Sequence, residues 1–330
     1  MKEKRLVKKR WAVVYVLLLA VLFTVSAVSV YAYGLLEAAL DGHQAKTEQQ
    51  ERLTAFQLRE QMYASQADTR VSGWLSFVRM DAWAAGTEDD LRRGTEYWPA
   101  VENEHAPWAI VLHGGLGTDS QQVIDIACTL SLAGYHVITP DLYAHGQSAG
   151  SISSLGLADA QLISEWVRRI LVVNPDADIV LYGIDEGAAA CLLAGRELPE
   201  NVRAVAVDSL YRNVQDRAYD LALQSRGKLS GLDRVLLDAA FRIVHGKSIK
   251  SGDMVSAAKD YPLPLLVIHG TGDRDVPAWH GEDIAIAAGK NAQLYFAEGA
   301  GHGMARFLEP EMYQETLLGF YHSAIHKAEN

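Results

Sequence analysis

The chain predicts an α/β fold, a mostly parallel, doubly wound sheet with a small helical insertion, preceded by a transmembrane helix. Three observations carry this. From residue 108 onward, short apolar runs ending in Gly or Asp alternate with helix-length stretches. Those runs are apolar throughout rather than alternating, as in strands buried on both faces of a parallel sheet. Before them lies one long uncharged stretch, WAVVYVLLLAVLFTVSAVSVYAY, near the start.

The apolar stretch spans residues 11–33, and about 20 helical residues cross a bilayer core. Trp11 stands at one end and Tyr31 and Tyr33 at the other, where interfacial aromatics belong. Residues 1–10 carry six Lys or Arg, so they read as a basic cytoplasmic tail, which places the body outside the cell as a single-pass membrane protein. The competing reading is a signal peptide cleaved near Val30-Tyr31-Ala32, leaving a secreted body. Residues 34–70 are polar and helix-prone, and are expected to form a helical stalk. The domain proper is then 71–330.

The expected strands are 108–114, 135–141, 178–183, 202–209, 264–270 and 292–299, with helices near 119–133, 156–172, 187–197, 278–289 and 309–326. Such alternation argues a parallel sheet with helices on both faces, whose chemistry gathers at the carboxyl ends of the strands. Residues 210–261 separate two strands by far more than one crossover needs, and read as a lid-like helical insertion.

Charge and cysteines narrow the classes. The net charge is −11, and beyond the basic tail there remain 24 basic and 40 acidic side chains, a balance of −16. An acidic body repels phosphate backbones, so nucleic acid is excluded as a partner. The two cysteines, Cys128 and Cys191, read as small buried hydrophobes. No metal or organic cofactor is expected, since His113, His145 and His269 share no ligand spacing and each sits where the chain turns after a strand.

The stretch IVLYGIDEGAAA (179–190) is a buried strand, a Gly-bounded turn and a helix start. With LHGG (112–115), GYHVITPDLYAHGQSAG (134–150), IHGTGDRDVP (268–277) and EGAGHG (298–303), each at the end of an expected strand, the chain resembles the α/β-hydrolases. It is most similar to their bacterial membrane-anchored serine-hydrolase and peptidase S33-type branch. The resemblance implies a hydrolase with nucleophile, acid and base in that order. It puts the base at His302 and its orienting acid at Asp273, with Asp275 and Asp208 as other candidate acids. The oxyanion-hole N–H groups would come from Gly115 and Glu186, the side chain of Glu186 having no required role.

The departure is Asp185, which stands where the pattern has Ser. Three readings follow. Asp185 attacks an alkyl carbon and the resulting ester is cleaved by water that His302 activates, as in haloalkane dehalogenases and epoxide hydrolases of this fold. The dehalogenase-like motif has Trp after the Asp, whereas Glu186 follows here; Tyr211 and Tyr219 are the nearest candidates for lid tyrosines. Alternatively, Asp185 or His302 activates water for ester hydrolysis. The third reading is a non-catalytic binding or scaffolding module at the outer membrane face. The expectation is a hydrolase acting on a small-molecule or lipid-like substrate through Asp185, Asp273 and His302.

Overall fold

The computed structural model describes residues 2–42, 69–87, 91–101, 103, 105–195 and 197–327. Eight strands form one sheet: β1 (Met80–Ala85), β2 (Arg92–Tyr97), β3 (Trp108–Leu112), β4 (His136–Pro140), β5 (Ile179–Ile184), β6 (Val202–Asp208), β7 (Leu265–Gly270) and β8 (Ala292–Ala297). Their spatial order is β1-β2-β4-β3-β5-β6-β7-β8. From β4 to β8 all neighbours are parallel, while β2 runs antiparallel to both β1 and β4. β3 therefore lies between β4 and β5, and the loops leaving β3 and β5 turn to opposite faces. The crevice at such a reversal is where sheets of this kind hold their ligands.

The six parallel strands fall on the six apolar runs expected from sequence. The central ones, such as WAIVL and IVLYGI, are buried along their whole length. Strands β1 (MDAWAA) and β2 (RRGTEY) went unforeseen because they form a polar, half-exposed hairpin at the sheet edge. An edge hairpin has no continuous apolar run to reveal it.

Helices cover both faces and divide the core into two layers. One layer is lined by α2 (Ile124–Leu132) and α9 (Pro310–Lys327). The other is lined by α3 (Asp159–Val173), α4 (Glu186–Ala194), α7 (Met254–Ala258) and α8 (Trp279–Ala288). The 210–261 insertion forms α5 (Val214–Arg226), α6 (Gly231–His245) and α7, which leave the carboxyl end of β6. Capping explains the breaks: Asn213 and Ser230 start α5 and α6, and Gly227 and Gly246 end them in the left-handed conformation.

The apolar N-terminal segment is part of one helix, α1 (Lys2–Leu40). Its stretch Val14–Leu40 is long and apolar enough to cross a membrane. Side chains from Val14 to Val30 are exposed all round, whereas Ala32, Leu35, Leu36, Ala39 and Leu40 are buried in the core layer beneath α5 and α6. This changes the expected stalk. Residues 34–40 are the docked end of α1, Arg70 bonds Thr129 from the far end of the same segment, and 43–68 lie outside the described residues. An exposed apolar stretch that continues into a core-forming one reads as one apolar run, so sequence could not divide it. Replacing fully buried Leu36 by Ala should destabilise the docked end by about 2–5 kcal/mol, read from urea unfolding in detergent. A change below about 0.5 kcal/mol would contradict this packing.

Candidate active site

Residue 185 sits in a sharp turn between β5 and α4, with φ 48° and ψ −108°. A non-glycine residue is strained there, by about 1–3 kcal/mol. The flanking glycines make the turn possible by close approach. A Cβ on Gly183 would lie 2.3 Å from the Gly187 carbonyl carbon, and one on Gly187 would lie 2.4 Å from the His113 oxygen. The turn thus presents Asp185 at the N-terminus of α4, whose first N–H groups lack intrahelical partners and favour negative charge. The loop after β3 lies against it: a Cβ on Gly114 would be 2.8 Å from the Glu186 nitrogen, and one on Gly115, at φ +84°, 3.8 Å from Asp185 Oδ2.

The structure brings Asp185, His302 and Asp273 together. His302 Nε2 is 3.5 Å from Asp185 Oδ2, and His302 Nδ1 is 2.8 Å from Asp273 Oδ2. Asp273 is fixed by its own loop, since the backbone N–H groups of Asp275 and Val276 each donate to its Oδ1 at 2.9 Å. His269, also against Asp273 Oδ2 at 3.5 Å, bonds the Val276 carbonyl. The His302 loop is held at two points. Gly303 N–H donates to Ser209 Oγ at 2.8 Å, and Arg306 donates to the Gly303 oxygen at 2.7 Å while pairing with Asp125 at 3.0 Å.

The other candidate acids are engaged elsewhere. Asp208 accepts from Tyr313 and Ser209, and Asp275 serves Asp273 through its backbone. Tyr211 is buried and donates to the Leu155 carbonyl, which removes it as a lid tyrosine. His113 and His145 hold turns, through the Leu142 N–H and the Tyr143 carbonyl.

Two features escaped sequence reasoning. The first is Arg217, whose Nη2 donates to Asp185 Oδ2 at 3.1 Å from α5, with both side chains buried. The insertion was legible as helical, but nothing local marks which of its residues reaches β5. The second is the Glu186 side chain. It is buried, accepts a 2.6 Å bond from Ser153, and lies 4.0 Å from His145 Nε2. The expectation that only its backbone matters is corrected: its carboxyl anchors the 153 loop under the turn. Burial pushes that carboxyl above its ordinary range.

Charge defines the rest. Burial works against the charge on Asp185, but the Arg217 guanidinium and His302 outweigh it and hold the carboxyl below its ordinary range. Burial likewise opposes the His302 imidazolium, yet the Asp185 and Asp273 carboxylates push its pKa up to about 10. The resting centre at neutral pH is therefore carboxylate, imidazolium, carboxylate, with guanidinium on the outer side of the first. Asp185 Oδ2 is shared by Arg217 and His302, while Oδ1 accepts no hydrogen bond among the described residues. The His302 side chain keeps 21% of its surface open, so solvent reaches it.

A family model for the alpha/beta hydrolase fold matches residues 107–225. The chain has the α/β-hydrolase fold. A Mycobacterium tuberculosis protein described as uncharacterized is 27% identical over 235 residues, covering 71% of this chain and 76% of its own. The lysophosphatidylserine lipase ABHD12 of Danio rerio is 26% identical over 245 residues, covering 70% of this chain but 57% of its own length. Among solved structures, the Pyrococcus furiosus esterase Pf2001 superposes with a TM-score of 0.59 at 17% identity, covering 75% of this chain and 92% of its own. At that identity the match speaks for the fold alone.

Proposed function

We propose that the protein is a membrane-tethered hydrolase of lipid-like alkyl electrophiles, aliphatic epoxides being the first class to test. Asp185 is its nucleophile, and His302 with Asp273 its water-activating pair. One observation carries the reading. The residue at the turn is an ionised carboxylate with one oxygen held by Arg217 and His302 and the other buried without a partner among the described residues.

The charge state favours alkyl over acyl attack. A Ser-type mechanism needs a neutral imidazole at the outset, and His302 rests as imidazolium. A carboxylate nucleophile needs no base. Asp185 attacks the alkyl carbon, the carbon–oxygen bond of the epoxide breaks, and the nascent alkoxide, facing the Arg217 guanidinium, takes a proton from solvent water, the hydroxide so formed then accepting the His302 proton. Asp185 is then a neutral ester. His302 loses the charge that most raised its pKa, gives up its proton, and becomes the base for water attack on the Asp185 carboxyl carbon. The N–H groups of Gly115 and Glu186 meet the tetrahedral oxyanion, and collapse expels the diol and restores Asp185.

The tether is α1, with the basic tail inside and the 71–330 domain outside; residues 210–261 act as the lid that carries Arg217. A second reading, ester hydrolysis, draws on the lipase activity for which the ABHD12 relative is named. One experiment separates them: a single turnover in heavy-oxygen water, run with an aliphatic epoxide and with a short acyl ester. Our reading expects turnover of the epoxide, with the heavy oxygen first appearing in the peptide containing Asp185. Heavy oxygen passing straight into product, with none in the enzyme, would overturn it.

A further inference from the structure

We infer that the segment 223–235, joining α5 to α6, is a second membrane-contact surface that rests in the headgroup layer beside α1. This depends on the proposed tether, and the test below separates the two. The lipid-exposed length of α1 ends at Tyr31, after which the helix turns buried faces to the domain. Tyr31 fixes the height of the insertion relative to that boundary. Its hydroxyl donates to Asp233 Oδ1 at 2.8 Å, and the Arg226 guanidinium lies over its ring at 5.5 Å. The end of α5 and the first turn of α6 are therefore level with the aromatic that marks the bilayer interface.

What the segment exposes there suits that layer. Leu232 is 66% exposed and Val235 65%, three residues apart on one helix face, and Leu223 projects from the last turn of α5. Arg226, Lys228 and Arg234 are exposed around them, while the one acidic residue of the segment, Asp233, is engaged by Tyr31. Basic side chains interleaved with apolar ones, on a body otherwise strongly acidic, match a surface of anionic lipid headgroups. The occupant to which this commits is the bilayer itself, in the leaflet where α1 emerges. Because α5 also carries Arg217, the same contact sets the insertion, and with it the cover of Asp185, against the membrane.

The test uses the full chain in lipid nanodiscs, of phosphatidylcholine alone or mixed with phosphatidylglycerol. Spin labels are placed singly at Leu232→Cys, Val235→Cys, Val21→Cys and Val172→Cys; native Cys128 and Cys191 are buried and do not compete. Val172, 80% exposed at the end of α3, is the aqueous control, and Val21 reports the span. Accessibility to oxygen relative to a nickel chelate gives depth. The expected result is Val21 in hydrocarbon, and Leu232 and Val235 severalfold more oxygen-accessible than Val172, more so with phosphatidylglycerol. If Val21 is in hydrocarbon while Leu232 and Val235 match Val172, the second surface is wrong and the tether stands. If Val21 is aqueous, the tether fails and this inference with it. Equal depth in the two lipids would remove the basic residues from the contact.

Discussion

His302→Gln should stop the enzyme halfway. In the proposed mechanism Asp185 needs no base for its attack, so the first step should survive, and one equivalent of substrate should become attached per enzyme. The second step loses its base. General-base removal costs about 100- to 10,000-fold, so the ester outlives many wild-type turnovers. Intact-mass spectrometry after mixing with an aliphatic epoxide should show a single adduct, and peptide mapping should place it on Asp185. Steady-state turnover should fall with the second step. The pH profiles separate the steps further. Ester formation requires only ionised Asp185, whose pKa is lowered, so its rate should be flat from mildly acidic pH upward. Ester hydrolysis requires neutral His302, and in the intermediate the Asp185 charge that raised it is gone. An ascending limb near neutrality, well below pH 10, is expected for kcat. A His302→Gln enzyme that forms no adduct, or that keeps full turnover, would rule out this division of labour.

Asp185, Asp273 and His302 are legible in the sequence for a local reason. The turn at 183–187 is written in two glycines that bracket it, Gly183 and Gly187, and Asp273 and His302 each follow an apolar strand within a few residues. Parallel order then brings the ends of β5, β7 and β8 to one edge without further information. Arg217 has no such signature. It reaches Asp185 from 32 residues away through the packing of α5 over the sheet, and an arginine on an exposed-looking helix resembles any other. The Glu186 carboxyl was missed for the same reason: its partner Ser153 sits in a distant loop. The docked end of α1 was hidden differently, since its core-packed leucines continue the exposed apolar run without a change in composition.

Arg217→Met is the variant expected to cost most in stability. Arg217 and Asp185 are a buried ion pair, with side-chain exposures of 10% and 2%. Removing one member leaves a buried carboxylate with only His302 to balance it, and such breakage costs about 3–5 kcal/mol. The loss should be coupled to Asp185. In Arg217→Met combined with Asp185→Asn no charge is stranded, so the double variant should be more stable than Arg217→Met alone, and a double-mutant cycle in urea should give a clear coupling energy. The acid limb supplies the sign. In the natural protein Asp185 has a lowered pKa, so its ionised form contributes stability above the unfolded value, lost as pH falls through the folded one. In Arg217→Met burial acts with less opposition and raises that carboxyl. The stability gap between the two proteins should then be widest at neutral pH and narrow as the variant takes up its proton in acid. A gap that is constant with pH, with no coupling to Asp185→Asn, would mean that Arg217 acts through packing and not through the charge at the turn.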